Sequence, residues 1–504
     1  MTVQRVVVIG AGMGGLACAA RLAAAGRDVV LVEAAAGPGG KLREVMAGGL
    51  PSDAGPTVFT MRWVFDELFA DCGASFSDQV ALTRAHTLAS HRWAGADGRV
   101  SQLELFASLE QSADAVGNFA GAPEASRFRA FHQRAQQIYH TLEPIYIRGS
   151  RPTPLGMFRR AGWRGTPALL RISPFATLWR ALGGHFTDPR LRQLFGRYAT
   201  YCGSSPFQAP ATLMLIAHVE QEGLWLVDGG MHRLATAMAQ LASARGATLR
   251  YGQQVRSIDI AQGRVTGVLL QMPDGSTERL AASQVVFNGD AGALAQGLLG
   301  DGARSAAPAP AATGRSLSAL TWNVLTDTGG QALQRHNVLF SNDYAAEFAY
   351  LFAGAAPPAH PTVYLCAQDR DPAGRLARPG PERLLALVNA PANSTGAAWS
   401  AERTNTCTAA AQAQLARCGL RLAPGLAHAT TTTPDDFARL FPGTGGALYG
   451  LPSHSWLASF RRPGARSAVA GLYLAGGSAH PGPGVPMATL SGQQAALSVL
   501  EDQP

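Results

Sequence analysis

Arg5-Val-Val-Val-Ile-Gly10-Ala-Gly12-Met-Gly14-Gly15, followed without a breaker by Leu16 to Ala25, decides the fold of this chain. The run before Gly10 is continuously apolar and mostly β-branched, as in a strand buried on both faces of a parallel sheet. The Ala-rich segment after Gly15 predicts a helix. Past Gly26 a second strand, Asp28 to Val32, ends in Glu33. Strand, glycine turn, helix, strand and acid stand in the order of a dinucleotide-binding unit. Gly10 permits the tight turn, Gly12 lets backbone approach a pyrophosphate, and Gly15 lets helix and strand pack closely. Around Gly14 the helix offers unpaired N–H groups and its positive dipole end to phosphate. Glu33 can accept hydrogen bonds from ribose hydroxyls, and its charge disfavours a 2′-phosphate, hence NADP.

Two further turns choose between NAD and FAD. Gly37-Pro-Gly39-Gly40-Lys41 is glycine-rich and carries a cation positioned to reach phosphate. Asp53-Ala-Gly55-Pro56-Thr57 is a turn whose small residues let backbone approach a flat ring. NAD dehydrogenases seldom carry this pair, whereas FAD enzymes of the amine-oxidase type do.

The far end of the chain returns to the same site. Gly471-Leu-Tyr-Leu-Ala-Gly476-Gly477 is a short apolar strand running into glycines. It leads through Ser478-Ala-His480-Pro-Gly-Pro-Gly484-Val485-Pro486 to a helix from about Met487 to Leu500. A helix starting near Val485 would aim its positive end at a reduced flavin, whose pyrimidine edge carries negative charge. A third piece lies between. Asp228-Gly-Gly-Met231 introduces a helix, His232 to Arg245, then strands Thr248 to Val255, Arg264 to Leu270 and one through Val285-Val-Phe287. The predicted architecture is α/β: a discontinuous Rossmann-like domain binding FAD, of the two-dinucleotide-binding type, with an α+β substrate lobe. Its FAD-binding parts are 1–75, 226–300 and 441–504; the substrate lobe takes 76–225 and 301–440.

Composition narrows the partners. Hydrophobic residues make up 47% of the 504 and charged residues 15%, which excludes disorder and allows a large buried core. The formal charge is +8, and of 42 basic residues only Lys41 is a lysine. Between Glu143 and Asp188 there is no acid, but seven arginines: Arg148, Arg151, Arg159, Arg160, Arg164, Arg171 and Arg180. Phe158, Trp163, Leu169, Leu170, Ile172, Phe175, Leu178 and Trp179 are interleaved with them. Such a stretch, 148–180, suits an anionic membrane surface; the alternative is an ordinary basic surface. No nucleic-acid-binding module accompanies the charge, so nucleic acid is not expected as a partner. Six scattered cysteines without CxxC or His neighbours predict neither disulfide nor metal site. The N-terminus has no leader pattern and no apolar run is long enough to span a bilayer, which predicts a cytoplasmic protein, soluble or bound to one membrane face. Oligomeric state stays open.

The sequence resembles the phytoene desaturase family of carotenoid oxidoreductases. The matching residues are Gly10 to Gly15, Gly39-Gly40-Lys41, Asp53 to Thr57, Asp228 to Met231, and Leu472 to Pro486. Within the family it is most similar to the 1-hydroxycarotenoid 3,4-desaturases, through Asp53 to Phe65, Pro361 to Arg370 and Gly445 to Pro463. The resemblance implies FAD as cofactor, a carotenoid substrate drawn from a membrane, and dehydrogenation by hydride transfer to the flavin. It carries cofactor contacts to Gly10, Gly12, Gly15, Glu33, Lys41, Thr57, Val255 and the turn from Gly476 through Gly477 to Val485 and Met487, with Gly14 and Gly40 in the same loops. One departure stands out: where wider relatives carry an acid after Ala-Gly, this chain has Gly477, so any ribityl contact there must come from backbone.

His480, beside the expected flavin face, and Arg62, near the Asp53–Thr57 turn, are candidate catalytic side chains. The plainer readings are a structural histidine in a Gly/Pro loop and an arginine facing solvent or a carboxylate. Arg62 could alternatively hydrogen-bond a tertiary hydroxyl of the substrate. Rival functions on the same fold are a carotenoid isomerase, a phytoene desaturase, a retinol saturase and a flavin-free lipid escort of the GDP-dissociation-inhibitor type. The intact phosphate loop and Glu33 argue against the escort.

Overall fold

The computed structural model describes residues 5–172, 175–308, 314–353, 357–376, 379–392 and 398–502. Five strands, β1 (Val6–Ile9), β2 (Val29–Val32), β3 (Thr248–Arg250), β4 (Gln284–Phe287) and β5 (Leu472–Leu474), form one parallel sheet in the order β5-β4-β1-β2-β3. Both faces of the inner strands are buried, so β1 and β2 read as unbroken apolar runs. Val6, Val8, Val29 and Leu31 meet a layer of helices, while Val7, Val30, Val32 and Val285 meet a small second sheet. That division follows the two-residue period of a strand.

The helical layer is α1 (Met13–Ala24), α2 (His232–Ala244) and α3 (Val485–Asp502). α1 begins three residues before the predicted Leu16, because Gly14 and Gly15 fit its crowded first turn. The covering sheet is an antiparallel meander of Gln254–Ala261, Arg264–Gln271 and Thr277–Ala281. Here the predicted strand Thr248 to Val255 is two strands. Gly252, at φ 70°, takes the left-handed conformation that turns the chain after β3.

The second lobe is built on a mixed seven-stranded sheet. Its order is Thr430–Thr432, Ser318–Thr326, Glu382–Ala390, Val363–Ala367, His336–Phe340, Thr87–Ala94 and Val100–Phe106. Every pairing is antiparallel except that between Asn337–Phe340 and Ser90–Trp93. The helix Leu109–Ala120 packs on its edge strand Val100–Phe106, and Pro154–Arg171 and Leu215–Glu222 pack on the helix Ala122–Leu142. Among the described residues no helix is long and apolar enough to cross a membrane.

Asp53 joins the lobes. Its buried carboxylate accepts the Met231 N–H at 2.7 Å and the His232 N–H at 3.2 Å, while Gln368 donates to its carbonyl at 2.9 Å. The acid of the Asp53–Thr57 turn thus caps α2 and fixes the turn against the large sheet.

Candidate active site

The turn between β1 and α1 leaves backbone bare. Gly12 caps α1 without a side-chain hydrogen bond, so the first N–H groups and the positive helix end are available to an anion. Gly10, Gly12 and Gly14 line a cavity of about 1090 Å³. Gly15, expected as a cofactor contact, is packed instead: a β-carbon there would overlap the Gly10 carbonyl oxygen. Glu33 lines the cavity at the end of β2. Its carboxylate accepts the Ala11 N–H at 2.6 Å and the Ala35 N–H at 2.8 Å, and each oxygen keeps a lone pair for a ribose hydroxyl.

The second glycine turn lies directly on the first. Gly39 donates to the Ala11 carbonyl at 2.8 Å, and a β-carbon on Gly40 would stand 3.2 Å from the Gly12 Cα. Lys41 donates to the Leu448 carbonyl at 2.7 Å. Burial pushes its ammonium below the ordinary value; nearby Asp290 opposes that shift and Arg462 adds to it.

The C-terminal turn closes the same space. A β-carbon on Gly14 would lie 2.8 Å from the Gly476 nitrogen and 2.9 Å from the Ala488 carbonyl oxygen. Chain start and chain end are therefore in contact. Gly476, Gly477, Val485 and Met487 line the cavity with Val255 and Thr57, as do Gly40 and Lys41. The N-terminus of α3 opens onto it at Val485.

The two catalytic candidates are elsewhere. His480 is buried, yet not in the cavity lining: its Nε2–H donates to the Gly149 carbonyl at 3.0 Å and its ring meets Tyr146 edge-on at 4.8 Å. Burial pushes its pKa down to about 4, and it tethers the Gly/Pro loop. Arg62 pairs with Asp66 at 3.1 Å and lies 5.1 Å over the Trp225 ring, also off the lining. Asp66, at i,i+4 spacing, is thus its carboxylate partner, as the plainer reading expected.

Several site residues escaped the sequence reading. Asn288, just after β4, donates its amide to the Gly10 carbonyl at 3.1 Å and stands against Gly12, Gly14 and Gly476. Its signal was the position after an apolar strand, matching that of Gly10. Arg462, buried beside the cavity, donates to the carbonyls of Leu451 at 2.6 Å, Tyr449 at 3.0 Å and Gly477 at 3.1 Å. It fixes the turn on which a flavin would rest. A polar cluster of Arg197, Tyr201 and Glu220 lines the cavity where Leu213, Leu215, Ile216 and Val219 are otherwise apolar. An acid following Val219 on that apolar helix face was the available signal.

Much of the remaining lining is hydrophobic. Leu142, Ile147, Met157, Leu169 and Phe460 extend the cavity from the glycine turns to helix Pro154–Arg171. Phe158, Leu170 and Phe175 line it while remaining 40, 63 and 75% exposed, which marks its mouth. A dinucleotide cradle therefore continues into an apolar channel.

The model of the flavin containing amine oxidoreductases matches residues 13–500. The chain is 51% identical over 497 residues to a hydroxyneurosporene desaturase of Rubrivivax gelatinosus, covering 99% of this chain and 93% of that one. It is 45% identical to the protein of that name from Cereibacter sphaeroides, covering 99 and 98%. Among solved structures, putrescine oxidase bound to putrescine shares the fold at TM-score 0.61 and 16% identity, covering 99% of each chain. Cyclohexylamine oxidase from Brevibacterium oxydans follows at TM-score 0.57 and 16% identity, covering 100 and 99%. Close-packed glycines at Gly14 and Gly476, a carboxylate at the end of β2 and a second helix N-terminus fit a flavin carried on a dinucleotide. The chain belongs to the flavin containing amine oxidoreductase family, an oxidoreductase with FAD as its cofactor.

Proposed function

We propose that the protein desaturates a carotenoid, introducing the 3,4 double bond of a 1-hydroxy or 1-methoxy carotenoid such as 1-hydroxyneurosporene. The observation that carries this reading is the single cavity running from the dinucleotide turns into an apolar channel. The names of relatives at 51 and 45% identity support the substrate class. FAD, when bound, supplies the two-electron acceptor, so that one hydrogen leaves as hydride and its neighbour as a proton.

What remains for the chain is binding, alignment and exclusion of water. Ile147, Met157, Leu213, Ile216 and Val219 offer a polyene contact without hydrogen-bond competition. Arg462 and Asn288 hold the two cradle turns rigid through backbone carbonyls. The N-terminus of α3 favours negative charge at its end of the cavity.

A water-insoluble substrate needs a lipid source, and docking on an anionic membrane face is part of the proposal. Leu155, Trp163, Leu170 and Phe175 are 69, 81, 63 and 75% exposed around helix Pro154–Arg171 and the turn after it. Exposed Arg159, Arg164 and Arg180 accompany them. Apolar tips rimmed by guanidinium groups suit the boundary between acyl chains and anionic headgroups.

The test is incubation of the FAD-loaded protein with 1-hydroxyneurosporene in liposomes. Desaturation lengthens the chromophore and moves the product absorbance to longer wavelength. A slight shift, as isomerisation gives, or an unchanged spectrum would remove the desaturase reading.

A further inference from the structure

Among the apolar side chains of the channel stands a charged group. Arg197 lines the channel, and among the described residues the sole hydrogen-bond partner of its guanidinium is the Tyr201 hydroxyl, at 3.2 Å. No carboxylate lies within ion-pair distance among the described residues. Glu220 is reached only through the tyrosine: Tyr201 donates to one of its oxygens at 2.8 Å and Tyr198 to the other at 2.7 Å. The order is thus guanidinium to Tyr201, Tyr201 to Glu220. A guanidinium has five N–H donors, and desolvating a charge without acceptors is costly. Tyrosine rings soften that cost, since the Arg197 guanidinium lies 5.3 Å from the Tyr201 and Tyr364 ring centres. The remaining donors still lack an oxygen.

The cluster adjoins the turn predicted to face the flavin. The Tyr364 hydroxyl is hydrogen-bonded to Thr57 Oγ1 at 2.6 Å and to His336 Nδ1 at 2.7 Å. Both Thr57 and Tyr364 line the cavity with Arg197. In a substrate oxygenated at C1 and desaturated at C3–C4, one methylene separates the oxygen-bearing carbon from the nearer reacting carbon. An oxygen anchor must then stand close to where the flavin would lie, and this cluster reaches the Thr57 turn through Tyr364.

We propose that Arg197, with Tyr201 oriented by Glu220, is the subsite that receives the terminal oxygen of the polyene. This rests on the carotenoid reading above. Arg197 is a donor with no acceptor atom, so it takes an ether oxygen as well as a hydroxyl. Hydroxylated and methoxylated ends should both bind, and a bare hydrocarbon end should not compete with them. Glu220 and Tyr198 are positioning residues that hold the Tyr201 oxygen in place.

The experiment measures binding and turnover separately. FAD-loaded protein is equilibrated with vesicles carrying equal amounts of 1-hydroxyneurosporene and neurosporene, and the polyene retained on the protein is quantified. The native chain should retain the hydroxylated form with at least about tenfold preference, the scale of one charge-assisted hydrogen bond. Arg197→Met should bring the ratio close to one with the flavin absorbance intact, Arg197→Lys should restore part of it, and Tyr201→Phe should weaken it. Should Arg197→Met not fold, Arg197→Lys and Tyr201→Phe carry the test through the same ratio. Equal retention by the native chain, or a preference that survives both Arg197→Met and Tyr201→Phe, overturns the subsite. A preference without any change in product spectrum would leave the subsite standing and remove the desaturase function instead.

Discussion

Gly492 on α3 and Gly14 on α1 are pressed together so closely that a β-carbon on Gly492 would overlap the Gly14 carbonyl oxygen. This contact between the two ends of the chain sets the width of the FAD cradle. The obstacles around Gly14 itself are mostly backbone: Gly476 and Ala488, with the Asn288 side chain at 2.6 Å. Backbone cannot swing aside, so Gly14→Ala and Gly492→Ala should each cost about 3 kcal/mol, at the upper end for overpacking. Thermal unfolding and FAD retained on gel filtration read both effects. Gly184→Ala, with nothing within 4 Å of its added carbon, should stay within about 0.5 kcal/mol of the native chain. If all three variants behave alike, the close approach does not govern the cradle.

Glu33 is the test of the dinucleotide reading. Glu33→Ala removes the ribose acceptor and leaves the Ala11 N–H without its 2.6 Å partner. FAD affinity should fall by about 10- to 100-fold, the loss of a charged hydrogen bond. Titration of the apoprotein with FAD, followed by flavin fluorescence, measures it. An unchanged dissociation constant would mean that the ribose lies elsewhere.

How far the sequence reached depended on whether a signal was local. The cradle was legible because glycines mark turns and a β-branched run marks a doubly buried strand, both within a few residues. Side-chain direction was not. The Gly476–Val485 turn lies where predicted, yet the His480 ring points away from the cavity to Gly149, a contact no local pattern encodes. Arg62 was resolvable in principle, since Asp66 stands at helical spacing from it. Glu220 carried a local signal as an acid on an apolar helix face, but its meeting with Arg197 and Tyr364 did not, because separate segments assemble the cluster. The meander after β3 was misread because alternation marks a strand without saying which sheet it joins.

Asp53 should matter for stability more than for chemistry. Asp53→Ala strands the Met231 and His232 N–H groups, at 2.7 and 3.2 Å from its oxygens. The expected loss is about 2–5 kcal/mol, one desolvation penalty for each orphaned donor. Asp53→Asn keeps an acceptor and should lose less. Denaturant titration of the two variants orders them, and equal losses would contradict the capping role.

Buried histidines should make the fold acid-sensitive. Burial holds His91, His132 and His336 at about 3, and His454 and His480 at about 4, against an ordinary 6.5. They stay neutral in the folded chain, while the unfolded chain takes up protons below pH 6.5. Their contribution is therefore complete above pH 6.5 and lost as pH falls toward 4. Each such histidine costs about 1.4 kcal/mol per pH unit across that window. The melting temperature should drop steeply between pH 6.5 and 4, and less so in His480→Gln, which can keep the bond to Gly149. The pH profile of turnover should be the same in that variant; a turnover pKa that vanishes with His480 would make it a participant in the chemistry.

The arginine-rich stretch divides into two groups with different expected phenotypes. Arg148 is engaged by Glu67 and Glu143, Arg151 donates to the Phe460 carbonyl, and Arg160 donates to the Ile145 and Ser150 carbonyls. Replacing these three should lower stability and barely change vesicle binding. Arg159 and Arg180 are exposed, and Trp163 and Phe175 are among the most exposed large apolar side chains. Arg159→Ala and Arg180→Ala should each weaken binding to anionic vesicles by about 1 kcal/mol, roughly fivefold, and the loss should shrink as salt is raised. Trp163→Ala combined with Phe175→Ala should weaken binding tenfold or more, about the burial energy of one large apolar side chain, and independently of salt. Co-sedimentation with phosphatidylglycerol and phosphatidylcholine vesicles separates the two contributions. If the native chain fails to sediment with either vesicle, the mouth at Phe158 and Phe175 does not open onto a membrane, and the substrate must reach the channel by a carrier.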